Sequence, residues 1–285
     1  MILVKNRLNA GFFSNFNAAL GWYWYSMKTG IPIHVHWDGS PNENIFDYFF
    51  EQKHKYQTHT YENNANFQHS PVFTDEIKEE FKKDIGEILY NKYDNGWFFC
   101  NGKVYTEETF YKLRNLYNEL YTKNLRLKTH LIPSIDIPQK TLGVNYRYII
   151  MYFTNDGKMT PYKNLMSTDE YHKEYITQIE NTFEKGNYEK IYIASSQRLF
   201  FEECLKKFKD KLLYIPMKRV EENQIEFDRG VSFRKEYADV LFDTINLTKC
   251  DHLLISPSNI IFAALYINPN ISYEIFDFLK ETYTG

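Results

Sequence analysis

The sequence predicts an α/β protein of two domains, and three observations lead to this prediction. The chain has 285 residues, which fits two domains of about 100–150 residues that share a cleft. Hydrophobic residues make up 43% of the chain and charged residues 25%, so a sizeable core can form. From about residue 139, short apolar runs alternate with helical patterns, which is typical of a parallel sheet covered on both faces. We place the boundary in the Pro-punctuated segment 131–139, which gives domains 1–138 and 139–285.

Charge, cysteine and hydropathy patterns argue against several classes of protein. The 34 Lys and Arg residues and 37 Asp and Glu residues give a net charge of −3, so no nucleic-acid partner is expected. Cys100, Cys204 and Cys250 lie far apart without CxxC spacing, which favours a reducing, cytoplasmic compartment over a disulfide framework or zinc site. The first apolar run stops at Val4, as in a strand rather than a signal peptide. No apolar run reaches about 18 residues, so no membrane span is expected.

The first elements of the N-terminal half form a predicted βα unit. A strand over 2–4 is followed by a turn containing Gly11 and by a helix whose apolar residues share one face. Ser14 or Asn15 is predicted as the N-cap of this helix, which leaves N–H groups and small polar side chains at its N-terminus. Such a terminus can hold an anion or a sugar hydroxyl. An ordinary cap with nothing bound is the alternative interpretation.

A predicted strand over 31–37 brings three candidate chemical groups together. His34 and His36 lie on the same face of this strand, and Asp38 comes just after it. Two imidazoles and a carboxylate could ligate a metal, although no further cluster of ligands is apparent. Ligands of α/β proteins bind at the carboxyl ends of strands, where any of the three groups could instead act as a general base toward a hydroxyl.

Three helices are predicted in the rest of the N-terminal half. The segment 44–52 has apolar residues at helical spacing and would carry Asp47 and Glu51 on one face. A helix over 74–89 begins with a threonine N-cap and negative charge in its first turn. A third helix over 106–125 places apolar residues at steps of three and four.

Strands and helices alternate through the C-terminal half. The predicted strands are 141–150, 190–194, 211–215, 252–255 and 271–275, and the predicted helices are 168–183, 199–208, 238–248 and 259–264. This alternation predicts a Rossmann-like domain whose ligand lies at the carboxyl ends of the strands.

Polar residues stand at the ends of three of these strands. Arg147 interrupts the apolar strand 141–150, and a guanidinium is rarely buried without an anion. A carboxylate partner or an exposed strand end would explain it, but an arginine beside a helix N-terminus is also what a pyrophosphate requires. Ser195 follows the second strand, and Ser256 begins a later Ser/Asn segment that would cap a helix. Neither GxGxxG nor GxxxxGKS/T occurs, so the standard dinucleotide and P-loop sites are not predicted.

Four blocks of the sequence form a pattern in a fixed order. They are Gly11-Phe-Phe-Ser-Asn15, Gly143-Val-Asn-Tyr-Arg147, segment 191–198 and segment 239–258. Together these blocks resemble the GT-B fucosyltransferase superfamily of α1,6-, nodulation and protein O-fucosyltransferases. The first block is similar to the opening turn of that superfamily, and the second resembles its GVHxR motif. The third stands where the superfamily has a strand ending in an ATDD-like motif, and the last resembles its third block, D…LSxCDxL…SxS.

This chain departs from the family pattern at three places. The usual histidine of the GVHxR motif is Asn145, a second arginine is replaced by Tyr148, and the acidic pair after the second strand is Ser196-Gln197. These departures bear on which deoxysugar is recognised, and they leave open a base supplied by the N-terminal half. They affect the phosphate role of Arg147 less.

The resemblance implies a GT-B fold, in which two Rossmann-like domains face each other across a cleft. It also implies that Arg147 binds the β-phosphate of a GDP-sugar and stabilises the charge on the departing diphosphate. Asp243 would accept hydrogen bonds from guanine. The other implied donor-binding residues are Asn15, Asn145, Ser195, Ser256, Ser258 and Asn259, of which Ser258 and Asn259 would hold phosphate oxygens.

The predicted function is therefore an inverting, metal-independent glycosyltransferase without a cofactor. It would move a deoxyhexose, with L-fucose favoured, from GDP-fucose or a related GDP-deoxysugar to a glycan hydroxyl. Inversion needs a base on that hydroxyl, and Asp38, His36 and Glu51 are the candidates. Two alternatives stay open: a non-catalytic carbohydrate- or nucleotide-binding protein on the same fold, and a metal-dependent hydrolase built on His34, His36 and Asp38.

Overall fold

A computed structural model provides the structure of the chain. It describes the segments 2–6, 11–40, 43–54, 75–85, 108–131, 135–146, 151–153, 159–161, 168–221, 233–256 and 258–276. Arg147 and Tyr148, the cap predicted at Thr74, and Cys100 lie outside these segments.

The chain divides into two compact units. Unit 1 contains Met1–Pro133, Phe233–Ala238 and Ser258–Pro269, and unit 2 contains Ser134–Ser232, Asp239–Pro257 and Asn270–Gly285. The first division lies in the proline-containing segment where we placed the domain boundary. Unit 1 also receives two later segments of the chain, which the division at 138/139 did not include.

The elements up to residue 131 include four helices and six strands. The strands are β1 (Ile2–Lys5), β2 (Ile33–His36), β3 (Asp38–Ser40), β4 (Glu43–Asn44), β5 (Phe50–Gln52) and β6 (Leu125–Leu127). The helices are α1 (Phe12–Thr29), α2 (Ile45–Phe49), α3 (Asp75–Ile85) and α4 (Glu108–Asn124), and a 3-10 turn covers Thr129–Leu131. Strands β1 and β2 are parallel, which confirms the βα unit, whereas β3–β4 and β5–β6 are antiparallel pairs.

Two predictions about these elements are wrong. Helix α1 begins at Phe12 with Gly11 as its N-cap, so Ser14 and Asn15 lie inside the first turn and do not cap it. The helix starts early because Phe12 and its neighbour Phe13 both enter the core. The helix expected over 44–52 ends at Phe49, since the next three residues pair with β6 as a strand. Asp47 and Glu51 therefore share no helical face.

The later elements follow the predicted alternation. The strands are β7 (Thr141–Asn145), β8 (Met151–Phe153), β9 (Met159–Pro161), β10 (Lys190–Ala194), β11 (Leu212–Leu213), β12 (His252–Ile255) and β13 (Ser272–Ile275). The helices are α5 (Thr168–Lys185), α6 (Arg198–Phe208), α7 (Phe233–Leu247) and α8 (Asn259–Ile267). Strands β10 and β12 have the predicted bounds. The antiparallel pair β8–β9 was not predicted, and α7 begins five residues before the predicted 238.

Unit 2 contains a five-stranded parallel sheet in the order β11-β10-β7-β12-β13. This confirms the α/β class and the Rossmann-like sheet. From the central strand β7 the chain moves outward to β10 and β11, and then crosses to β12 and β13 on the other side. The reversal occurs beside β7, and in open parallel sheets ligands bind at the carboxyl ends of the strands at such a switch point. In unit 1 the described strands form a two-stranded parallel sheet and antiparallel pairs.

Two side-chain amides line the edge of β2 that does not pair with β1. Gln52 accepts a hydrogen bond from the Val35 N–H at 2.8 Å and donates to the Val35 carbonyl at 2.8 Å. Asn44 accepts from the Trp37 N–H at 2.9 Å and donates to the same Val35 carbonyl. The hydroxyl of Tyr23 also donates to Gln52, at 2.9 Å. These amides take the place of a neighbouring strand and satisfy buried backbone groups.

We expect Gln52→Leu to lower the free energy of unfolding by about 1–3 kcal/mol, because the Val35 N–H and the Tyr23 hydroxyl lose a buried acceptor. Glu51→Gln is the matched control, since the neighbouring Glu51 is exposed and lies 3.7 Å from Arg126 in an exposed pair. Urea unfolding measures both variants. Equal stabilities of the two would show that the amide does not support this edge.

Candidate functional site

The carboxyl edge of the unit 2 sheet brings three predicted donor-binding residues together. Asn145 ends β7, Ser195 follows β10 and Ser256 follows β12. Their strands are in register here, because Asn145 pairs with Ala194 on one side and with Ile255 on the other. Exposure is 2% for Asn145, 3% for Ser195 and 0% for Ser256. The edge therefore carries a buried row of neutral hydrogen-bonding groups.

A short hydrogen-bond network fixes the end of β7. The carbonyl of Asn145 accepts from the hydroxyl of Tyr175 at 2.8 Å and from the N–H of Ser256 at 3.2 Å. The Ser256 hydroxyl donates to the Tyr175 oxygen at 3.3 Å. Burial raises the pKa of Tyr175 well above its ordinary value, so this hydroxyl stays protonated and remains a donor. The side-chain amide of Asn145 donates to the carbonyl of Ala194 at 3.4 Å, which ties it to the neighbouring strand.

Ser195 forms the turn that leads from β10 into α6. Its hydroxyl accepts from the N–H of Gln197 at 3.1 Å, and Gln197 is the N-cap residue of the helix. The N–H of Val220 donates to the carbonyl of Ser196 at 2.8 Å, and Val220 in turn accepts from the N–H of Arg198 at 2.9 Å. The segment where the family has an acidic pair is thus held by backbone bonds to a second segment of unit 2.

Tyr146 anchors the chain immediately before Arg147. Its N–H donates to the carbonyl of Ala194 at 3.2 Å, and its side chain is 1% exposed. The ring stacks on Phe200 with centroids 3.6 Å apart, and His172 and Tyr175 contact it edge-on at 5.4 and 5.2 Å. Arg147 itself lies outside the described residues. The residue that precedes it is fixed at the switch point of the sheet.

Gly143, two residues before the end of β7, allows the side chains of Leu253 and Cys250 to pack directly against the backbone of this strand. A Cβ atom there would lie 2.5 Å from Cδ2 of Leu253 and 3.0 Å from the sulfur of Cys250. The first contact is far shorter than van der Waals distance, so no other residue fits without movement of the core. The glycine of this motif is therefore explained by packing between β7 and β12.

Asp243 lies in α7 and contacts the strand β10 of unit 2 through Tyr192. Its Oδ1 accepts from the hydroxyl of Tyr192 at 2.6 Å, and Asn246 donates to the Tyr192 oxygen at 3.3 Å. Tyr192 pairs with Gly143, two residues before the end of β7. At about 3.3 Å per residue, the backbone of the Tyr192–Gly143 strand pair lies roughly 7 Å from the carboxyl ends of these two strands.

Unit 1 has its own polar group at the carboxyl end of its parallel strands. Asn15, in the first turn of α1, and Asn6, directly after β1, both hydrogen-bond the hydroxyl of Tyr237. Burial, the larger influence, raises the pKa of Tyr237, and these two bonds lower it. The Tyr237 ring contacts Phe12 at 5.2 Å and Trp37 at 5.8 Å between centroids. Asn15 is thus a buried partner of a tyrosine that the sequence did not indicate.

The candidate bases take different positions in unit 1. His36 is the last residue of β2, is 9% exposed and pairs with Lys5, and Asp38 is the first residue of β3. His34 lies within β2, with Nδ1 3.1 Å from the carbonyl oxygen of His54 and Nε2 3.5 Å from the amide nitrogen of Asn44. Within the described segments, no group of three or more His, Cys, Asp or Glu residues could hold a metal ion.

Ser258 and Asn259 begin helix α8. The Ser258 hydroxyl accepts from the N–H of Ile261 at 3.3 Å, which confirms the predicted cap. The Asn259 side chain accepts from the amide of Asn17 at 3.4 Å, and Asn17 accepts from the hydroxyl of Tyr266 at 3.0 Å. Both residues have bonds inside unit 1, so the structure gives each of them a structural role.

Sequence reasoning missed the tyrosines that support these sites. Tyr175, Tyr192 and Tyr237 are buried and place a hydroxyl on a predicted site residue or its backbone. In the sequence each stands at an apolar position of a strand or helix. Their spacing fits a core residue, and a buried tyrosine usually finds a hydrogen-bond partner, so burial at such positions was the available signal.

Comparison with known proteins adds a likeness of fold. No family model and no curated protein matches the chain. The fucosyltransferase NodZ from Bradyrhizobium is similar at 13% identity, with a TM-score of 0.49 over 97% of this chain and 96% of that chain. A NodZ alpha-1,6-fucosyltransferase co-crystallised with GDP is similar at 13% identity, with a TM-score of 0.48 over 93% and 92%. At 13% identity this likeness concerns the fold alone.

No helix among the described residues is both long enough and apolar enough to cross a membrane.

We expect His172, beneath Tyr146, to make unit 2 sensitive to acid. His172 is 1% exposed, and burial lowers its pKa to about 4, against an opposing influence from Asp169. A histidine in the unfolded chain has a pKa of about 6.5, so the unfolded state binds more protons between these values. The free energy of unfolding therefore falls as pH decreases from about 6.5 to about 4, by up to roughly 3 kcal/mol.

The measurement is urea unfolding between pH 7 and pH 4 for the wild type and for His172→Phe. The variant should lose the part of the pH dependence that this histidine causes. His130→Gln, at an exposed histidine of unit 1, is the control for removing a histidine. Parallel pH profiles for the wild type and His172→Phe would contradict the expectation.

Proposed function

We propose that this protein is an inverting glycosyltransferase that moves a deoxyhexose, L-fucose in our proposal, from a GDP-sugar to a glycan hydroxyl. One observation carries the proposal. Tyr146, fixed at the switch point of a parallel sheet by a backbone bond and a stacked ring, directly precedes Arg147 in the sequence. The switch point is where such sheets bind ligands. Arg147 is the next residue of the sequence, and a guanidinium is suited to binding a diphosphate.

The chemistry of sugar transfer explains why such an arginine is needed. Breaking the bond between the sugar and the diphosphate leaves negative charge on the phosphate oxygens and an oxocarbenium-like sugar. A guanidinium that is already in place stabilises this charge without reorganisation, and removing one such donor costs about 3 kcal/mol of barrier. Asn145, Ser195 and Ser256 supply neutral polar groups at the same edge of unit 2.

Asp243 is proposed to read the base of the donor. A carboxylate can accept both donors on the edge of guanine, N1–H and the 2-amino group. The Asp243 carboxylate already accepts a hydrogen bond from Tyr192 at 2.6 Å, which fixes its position within unit 2. The roles that the resemblance implies for Asn15, Ser258 and Asn259 stay predictions, beside the structural bonds that these residues make.

We expect the protein to bind GDP, and Arg147→Ala to weaken that binding about 10- to 100-fold, since a hydrogen bond to a charged group contributes about 1.5–3 kcal/mol. Lys140→Ala is the matched control, because Lys140 directly precedes β7 and is exposed in a pair with Glu189 at 2.9 Å. Calorimetric titration with GDP measures both. No binding at millimolar GDP, or equal weakening in the two variants, would sink the proposal.

The acceptor hydroxyl needs a base, which we propose is His36 or Asp38. Both stand at the carboxyl end of β2, whereas Glu51 lies on the exposed face of the antiparallel strand β5. Of His36→Gln and Asp38→Asn, the variant that removes the base should lose about 100-fold or more in kcat. Its affinity for GDP should stay unchanged, because the base acts on the acceptor.

The measurement is the release of GDP from GDP-fucose, with and without a glycan acceptor and with EDTA present throughout. EDTA-resistant release supports the metal-independent transferase over a metal-dependent hydrolase. A protein that binds GDP tightly but never cleaves GDP-fucose would be the non-catalytic binding protein. Full activity in both variants would exclude His36 and Asp38 as the base.

A further inference from the structure

We infer that Tyr192 is a positioning residue that orients the carboxylate of Asp243 and so sets the preference of the site for guanine. The inference rests on the proposed function, in which Asp243 reads the donor base. Tyr192 touches neither the sugar nor the phosphates in this account, and it acts only through Asp243.

The contact between the two side chains is short and buried. The Tyr192 hydroxyl lies 2.6 Å from Oδ1 of Asp243, which is the range of a charge-assisted O–H···O bond. Both residues are buried in unit 2. A hydrogen bond to a carboxylate in such surroundings is stronger than one in water, so it restricts rotation of the carboxylate.

The direction of this hydrogen bond is set by a third side chain. Asn246 lies one turn along α7 and donates its amide N–H to the Tyr192 oxygen at 3.3 Å. Lys249 donates to the Asn246 carbonyl oxygen at 3.2 Å, which identifies the amide nitrogen as the end facing Tyr192. Because the Tyr192 oxygen already accepts from Asn246, its single proton is directed to Asp243.

Protonation keeps the network in one state. Burial and the neighbouring charge of Asp243 raise the pKa of Tyr192 well above its ordinary value. The hydroxyl is therefore a donor throughout the pH range in which proteins work. A donor that never ionises holds the carboxylate in one orientation.

Packing alone does not call for this arrangement. Strand β10 has the buried neighbours Ile191 and Ile193, and strands buried on both faces are commonly continuous apolar runs. An apolar pair at positions 192 and 243 would fill the same space without burying a charge, which is often neutral or stabilising. A carboxylate that accepts from two donors of guanine binds more tightly when its orientation is already fixed. The entropy of orienting it is then lost on folding and not on binding.

The test compares the affinities for GDP and for inosine diphosphate, which lacks the 2-amino group. The wild type should prefer GDP about tenfold, as one lost hydrogen bond to a charged group implies. Tyr192→Phe should weaken GDP binding about tenfold and bring the ratio of the two affinities toward one. Ile193→Val is the control, because it costs stability in the same strand without a polar contact and should keep the ratio.

Asp243→Asn completes a double-mutant cycle. If Tyr192 acts through Asp243, the double variant should bind GDP no more weakly than Asp243→Asn alone. Additive losses would overturn the inference. If Tyr192→Phe does not fold, Asn246→Leu is measured in the same way. We expect this variant to lower the preference for GDP over inosine diphosphate by less than Tyr192→Phe would.

The outcomes distinguish a failure of the role of Tyr192 from a failure of the proposed function. A wild type that binds GDP, together with a Tyr192→Phe variant that keeps the wild-type ratio, overturns the role of Tyr192 and leaves the proposed function standing. A wild type that fails to bind GDP overturns both. If Tyr192→Phe is less stable but keeps the wild-type ratio of the two affinities, the role of Tyr192 is structural only.

Discussion

The pairing of β7 with both of its neighbours is the constraint on which the rest of unit 2 depends. Asn145 ends this strand level with Ala194 and Ile255, so three strands stop at one line. The carbonyl of Asn145 then accepts from two donors, one of them on α5, and this fixes the helix to the edge of the sheet. Tyr146 continues from this point into a stacked aromatic contact. These bonds set the position of Asn145 and Tyr146 at the end of β7.

The sequence predicted this sheet well because its central strands leave little choice. Strands β10 and β12 have the predicted bounds, since buried parallel strands are short apolar runs bounded by polar residues. Failures occurred where periodicity is ambiguous. The apolar residues of 44–52 fit a helix, but Phe50 is buried against β6 and pairs with Leu127, so tertiary pairing overrode the local pattern. The start of α1 was misplaced because two core phenylalanines outweigh polar residues that favour caps.

The site was predictable in part for a related reason. Topology places the residues that follow parallel strands at one edge, so Asn145, Ser195 and Ser256 could be grouped from the sequence. Their partners could not, because a hydroxyl such as that of Tyr175 comes from a helix 30 residues away. The same holds for Gln52, whose amide lines β2 from a position 17 residues along the chain. Side-chain bonds of this range depend on the fold and leave no periodic signal.

The described residues at the carboxyl edge of the unit 2 sheet are neutral, so in the proposed function the positive charge for a diphosphate comes from Arg147. Asn145, Ser195 and Ser256 are neutral, so they can orient a ligand by hydrogen bonds but cannot balance the charge of a diphosphate. Asp243 is acidic and would repel phosphate, and its bond in the described structure is to Tyr192, whose backbone lies two residues before the end of β10. The proposal therefore assigns the phosphates to Arg147 and the donor-rich base to Asp243, which divides the two opposite charges between the two parts of the ligand.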